Sequence, residues 1–195
     1  MAAIQGVYGL EPAKRMDGMA YAGAMRQYKI ASAYDTSIFK GDLVKLVTGG
    51  TVERETADAA VVTCGVFMGC SYTDPVLGYT LHSNYFPADT VASDIMAYVV
   101  DDPNVLFRVG VVSGTTVIGD LALTDLGANA ALVDNTGITI NGRSQVALSH
   151  TSATTATLPC RIVELVEETK NASGGYTEAL VRINTSHQLL NTTGV

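Results

Sequence analysis

The sequence predicts an all-β protein, a β-barrel or β-sandwich with an extended N-terminal arm, and three observations lead there. Val, Thr, Ala and Gly are abundant while Lys and Glu are few, and β-branched side chains fit a pleated, half-buried surface better than a helix. Long apolar runs with a 3.6-residue period are scarce. From Arg26 onward, short strand-like runs recur between Gly, Asp, Asn and Pro, which is the spacing of a barrel or sandwich. The chain has 195 residues, 47% hydrophobic and 16% charged, so it is long enough and apolar enough to bury a substantial core.

Residues 1–24 have neither period, yet they carry Ile4, Val7, Tyr8, Leu10, Met16, Met19 and Tyr21. An extended segment this apolar is expected to pack on its own body or on a neighbouring subunit. The chain therefore divides into an arm with the first strand (1–34) and a β-rich body (35–195). Strands are expected at 26–33, 42–47, 60–72, 95–100, 105–112, 121–124, 138–140, 145–149, 157–166 and 178–184. In the last, Ala179, Val181 and Ile183 alternate with Leu180, Arg182 and Asn184, and "TKNASGG" before it is rich in turn formers, so 157–166 and 178–184 read as a hairpin. Asp101-Asp102-Pro103-Asn104 reads as a turn with Pro103 in the second position of type I. Asn141-Gly142 reads as a tight hairpin turn between "ITI" and "QVAL", and the polar "SHTSATTATLP" (149–159) as a surface loop.

The triplet Gly-Asp-Leu occurs twice, at 41–43 and 119–121, each time opening an apolar stretch. A phosphate-binding loop would need several glycines, a helix N-terminus and usually a Lys. Here a carboxylate stands beside the glycine, so both copies read as turns that launch a strand, and a match this short establishes no duplication. His82, His150 and His187 are isolated in polar surroundings and read as surface histidines, with no hydrolase motif beside them. The His and Cys spacings suit no metal site, and "VVDDPN" lacks the alternating ligands of a calcium loop. No catalytic residue, metal or cofactor is expected.

Cys64, Cys70 and Cys160 read as small core hydrophobes of a protein made in a reducing compartment. "AAVVTCGVFMGC" (59–70) is too short to span a membrane, and the N-terminus lacks the pattern of a signal peptide. The formal charge is −7, which disfavours a polyanionic partner such as nucleic acid. Residues 1–34 carry Lys14, Arg15, Arg26 and Lys29 against Glu11 and Asp17, a balance of +2 that leaves −9 for the remainder. A basic arm on an acidic body suits docking to protein at least as well as contact with nucleic acid.

Three stretches, "YKIASAYDTSIFKGDLVKLVTGGTVERET", "CGVFMGCSYTDP" and "SDIMAYVVDDPNVLFRVGV", together resemble the capsid decoration (cement) proteins of tailed bacteriophages over about half of the chain. The resemblance implies a non-enzymatic virion structural protein, made in the host cytoplasm and bound to the outer surface of the phage head. Its partners would be the major capsid protein and further copies of itself, as a homotrimer, with no nucleic acid or membrane involved. The arm residues Ile4, Val7, Tyr8, Leu10, Lys14 and Arg15 would then dock on the capsid, and Tyr72, Tyr79, Tyr85 and Phe86 are candidate interface aromatics. The alternatives are another virion part, such as a tail tube or head-completion protein, and a small glycan-binding β module with those aromatics as its platform.

Overall fold

Two runs of strands follow one another along the chain, and each curls into a five-stranded ring. The computed structural model describes residues 7–57, 61–115 and 117–188. The first half carries β1 (Glu11–Arg15), β2 (Arg26–Lys29), β3 (Ile38–Phe39), β4 (Leu43–Leu46), β5 (Val52–Arg54), β6 (Gly65–Thr73), β7 (Thr80–Ser83), β8 (Tyr85–Phe86) and β9 (Met96–Val100). The second carries β10 (Val105–Ser113), β11 (Val117–Ile118), β12 (Asn129–Val133), β13 (Ala147–Ala153), β14 (Cys160–Leu165) and β15 (Glu178–Ile183). Helical structure among the described residues is confined to 3-10 turns at Leu123–Asp125, Glu167–Thr169 and Thr185–His187. The protein is all-β.

The two rings share one topology. In the first, neighbours run β2-β9-β6-β4-β5, each pair antiparallel, and a parallel bridge between Lys29 and Thr51, beside β5, closes the circle. In the second they run β10-β15-β14-β12-β13, again antiparallel, and β13 returns to β10 in parallel through Val111–Leu148 and Val112–Ser149. Taking each ring's strands in chain order, both read first, fifth, fourth, second, third. An odd number of strands cannot alternate in direction all the way round, so one joint must be parallel. Both halves place that joint between their first and third strands.

The repeated triplet marks matching points in this plan, but its copies have diverged. Gly41, at φ 97°, turns the chain into β4, and the Asp42 carboxylate fixes the turn by accepting the Phe39 N–H at 2.8 Å. After Gly119-Asp120, by contrast, Leu121 makes a single bridge to Tyr176, and the Asp125 carboxylate then accepts the Ala122 N–H at 2.7 Å. This local side-chain bond draws 122–125 into a 3-10 turn, so the strand expected at 121–124 is absent and the ring strand begins only at Asn129.

Two buried clusters match the rings. Phe67, Cys70, Tyr72, Phe86, Ala97 and Val99 pack inside the first with Val44 and Val52. The second cluster holds Phe107, Val109, Val111, Leu148, Ile162, Ala179 and Val181, and it also takes Leu43, Val66 and Val100 from the first ring. Successive strand residues face opposite sides, so Leu43 and Val44 serve different clusters. A bulge between Phe67 and Gly69 shifts the phase of β6, which puts Phe67 and Cys70 in one cluster although they are three residues apart.

The hairpin expected at 157–166 and 178–184 is present as β14 and β15. Pro103 stands second in a turn closed by the Val105 N–H and the Asp102 carbonyl at 3.2 Å, and this turn joins β9 of one ring to β10 of the other. Two further expectations are corrected. Residues 138–140 form no strand; Ile138 pairs only with Arg143 around the Asn141-Gly142 turn, and Ile140 is almost fully exposed. Residues 149–153 of the supposed polar loop belong to β13, because backbone pairing with β12 leaves their side chains mostly at the surface.

Candidate interaction surfaces

The arm is sewn into the molecule before it becomes available to anything else. β1 pairs with β10 from Glu11–Arg108 to Arg15–Val105. Just before it, Gly9 and Gly41, both at positive φ, cross so closely that a Cβ on Gly9 would lie 3.0 Å from the Gly41 Cα. Leu10 is fully buried in the second cluster, so its side chain is spent on this chain's own core. Val7 and Tyr8 are half-buried. The Tyr8 hydroxyl is buried without a hydrogen-bond partner among the described residues, and burial first, then the charge of Glu178, raises its pKa above the ordinary tyrosine value. Lys14 pairs with Glu164, and the Arg15 Nε lies 3.7 Å from Asp17 and 3.9 Å from Asp102. Ile4 lies outside the described residues.

Beyond β1 the arm lies open. The Arg15 N–H meets the Met19 carbonyl at 2.8 Å, and the Met16 N–H meets that of Asn104 at 2.8 Å, so the segment is held by its backbone while Met16, Met19 and Met25 face solvent. Tyr21 is half-buried against the second cluster. Thioether side chains adapt to irregular partner surfaces.

An ion-pair network also crosses the seam between the rings. Arg54 on β5 donates from Nε to Asp42 at 3.1 Å and from a terminal nitrogen to Asp134, just past β12, at 2.5 Å. Its backbone N–H is taken by the Tyr34 hydroxyl at 3.1 Å. Asp42 is fully buried, and desolvation raises its carboxyl pKa against the opposing pull of Arg54. Nearby, the Lys40 N–H bonds the Gly142 carbonyl at 3.0 Å, and the Ser144 N–H bonds that of Lys40 at 2.9 Å, tying the two halves through backbone as well.

The candidate aromatics separate. Tyr72 and Phe86 face the first core, which corrects their reading as interface residues. Tyr85 is half-buried and stacks on Phe39 at 5.6 Å between centroids. Tyr79 is 53% exposed, beside Val76 at 89% and Leu77 at 57%, on the tip between β6 and β7. The four do not form one platform. The sequence signal for the tip was present in "DPVLGY", where apolar residues sit between turn formers.

Charge is distributed more unevenly than the arm alone suggests. Residues 55–107 contain seven acids, Glu55, Asp58, Asp74, Asp89, Asp94, Asp101 and Asp102, and no Lys or Arg. The rest of the chain holds twelve acids and twelve bases, so the entire −7 comes from this one segment, which includes the tip.

Cys64, Cys70 and Cys160 are buried and unpaired, and desolvation pushes each thiol up to about 12. Because the folded values lie above the unfolded ones, the thiols contribute stability that is present below pH 9 and is lost as pH rises toward 12. An alkylating reagent at pH 8 is expected to leave the native protein unlabelled and to label three sites after denaturation, as read by intact mass; fast native labelling would contradict this burial. His187 is buried, with Nδ1 donating to the Val61 carbonyl at 2.5 Å, which corrects its surface reading, whereas His82 and His150 are exposed. No group of three or more His, Cys, Asp or Glu is placed to hold a metal, and no helix is long and apolar enough to cross a membrane, again among the described residues. A crevice of about 320 Å³ between the rings has an apolar wall of Val100, Val105, Phe107 and Ile183, with Asp101 and Asp102 among its lining. No family model, curated protein or solved structure matches this chain.

Proposed function

We propose that this chain is a virion structural protein, a capsid decoration protein that binds the outer surface of a tailed-phage head and stabilises the shell. The observation that carries the reading is the arm: a strand stitched to a double ring, followed by an exposed segment bearing Met16, Met19 and Met25. A stiff body with an adaptable apolar strap suits a role that demands adhesion and no chemistry. Repeated over many copies, weak contacts of this kind multiply into tight attachment. The three stretches that resemble decoration proteins point the same way.

The placement of the arm changes which residues would touch the major capsid protein. Leu10 holds the arm to its own body, so the docking contacts pass to Met16, Met19 and Met25, with the part-exposed cations Lys14 and Arg15 beside them. Deleting residues 1–24 would remove β1 along with the strap and so confound binding with folding. A triple Met16→Ser, Met19→Ser, Met25→Ser variant avoids this. It is expected to melt like the wild type and to bind purified shells at least about tenfold more weakly, as read by co-sedimentation; full binding would remove the strap from the interface. Quantitative mass spectrometry of purified virions tests the role itself. A copy number comparable to the shell protein is expected, a handful of copies would assign the chain to the tail or neck, and absence would overturn the virion reading.

A further inference from the structure

The tip between β6 and β7 is not needed to close its ring. The second ring joins its equivalent strands, β14 and β15, through residues 166–177, whereas the first uses residues 74–95 and adds β7 and β8. The added tip is rigidly held: the Asp74 carboxylate accepts the N–H groups of Val76 and Leu77, both at 2.8 Å, and the Asp74 backbone bonds Gly78 at 2.8 Å and Tyr79 at 3.0 Å. Three large apolar side chains are thus presented to solvent on a preorganised turn, which lowers the entropy cost of inserting them into a partner.

The same molecule has a receptor of matching character. The crevice between the rings suits the tip less well, because Asp101 and Asp102 line it and its one cation, Arg26, already pairs with Asp101 at 3.0 Å, while the tip sits in the cation-free acidic segment. A groove of about 580 Å³ is different: it is lined by Val7, Tyr8, Ile138, Arg108 and Arg143, among others, all from outside residues 55–107. Its acids are engaged, since the buried Glu178 pairs with Arg108 and Glu11 pairs with Arg143 at 3.0 Å. The Arg108 and Arg143 side chains remain 39% and 44% exposed, Ile138 lies open at 37%, and the Tyr8 hydroxyl has no hydrogen-bond partner among the described residues. Val7, Tyr8 and Ile138, set beside two part-exposed arginines in an otherwise polar lining, complement an apolar tip in acidic surroundings.

We propose that the Val76–Leu77–Tyr79 tip of one copy of this chain docks in the Tyr8–Arg108–Arg143 groove of a second copy. The two patches differ, so the contact is head-to-tail and closes into a ring where the rotation between copies permits. This self-association requires no shell, and its test is separate from that of the virion role.

The purified full-length protein is expected to form an oligomer at micromolar concentration in size-exclusion chromatography with light scattering. The double variant Val76→Asp, Leu77→Asp should associate roughly thirtyfold or more weakly and run as a monomer, and so should Arg143→Glu. Ile138→Asp, on an exposed position of the groove, provides a groove variant that leaves the Arg143–Glu11 pair intact. Circular dichroism and melting temperature establish that each variant is folded. Mixing the folded tip variant with a folded groove variant should produce a heterodimer and nothing larger, because only one intact tip and one intact groove remain in each pair. A monomeric wild type, an oligomeric groove variant, or a mixture that stays monomeric would overturn the proposal.

Discussion

Arg54→Ala is expected to destabilise the fold by about 3–5 kcal/mol, because it leaves the buried Asp42 carboxylate without its ionic partner. The side chains of Asp42 and Arg54 are 0% and 17% exposed, so water cannot readily replace the lost guanidinium. Asp134, at 27%, suffers less. The loss should depend on pH in a defined direction. Burial already raises the folded pKa of Asp42, and removing Arg54 raises it further; a raised carboxyl contributes stability below its unfolded pKa and loses it as pH rises through the folded value. The gap between wild type and variant is therefore expected to be widest near neutral pH and to narrow toward acid, where a protonated Asp42 needs no counter-charge. Urea denaturation at a series of pH values measures this, and a gap independent of pH would show that Arg54 acts through packing alone.

Leu10→Ala is expected to cost roughly 2–5 kcal/mol, the range for deleting a fully buried leucine side chain. The result separates two roles for the arm. A residue reserved for a partner would be neutral in the isolated protein, whereas one that fills the cluster around Val66, Val105 and Phe107 must destabilise it. Thermal denaturation of the isolated protein decides between them, and a shift in melting temperature within error would return Leu10 to the docking surface. The variant also bears on the seam, since the Leu10 N–H bonds the Gly41 carbonyl at 3.1 Å and a loosened arm would expose the turn that precedes β4.

Some elements are legible from neighbouring residues alone. The β14–β15 hairpin announces itself by alternation and a turn-rich connection, and the Pro103 turn by a residue whose ring fixes φ. The misses have local competitors or distant causes. Residues 121–124 look like a strand until the Asp125 side chain bonds the Ala122 backbone. "NAALV" at 129–133 has only Val133 to suggest a strand, yet it is β12, because Ala130 and Leu132 are buried between β13 and β14. The isolated "ITI" has the right alternation but no strand beside it, and so stays at the surface. Tyr72 and Tyr79 look alike in sequence; one lies on a strand face turned to the core and the other on the tip past its end.

From its own residues the sequence determined that the chain is all-β, that three inert thiols lie in its core, and that turns fall where Gly, Asp and Pro fix the backbone, since propensity, alternation and hydrophobicity act over a few residues. The tertiary structure decided that the strands close into two rings of one topology, each with its parallel joint between first and third strands. It also decided that Leu10 belongs to the core while Met19 and the Val76–Tyr79 tip remain outside. Ring closure and side-chain burial depend on contacts between segments far apart in the chain, and no local pattern records which distant strand will lie alongside.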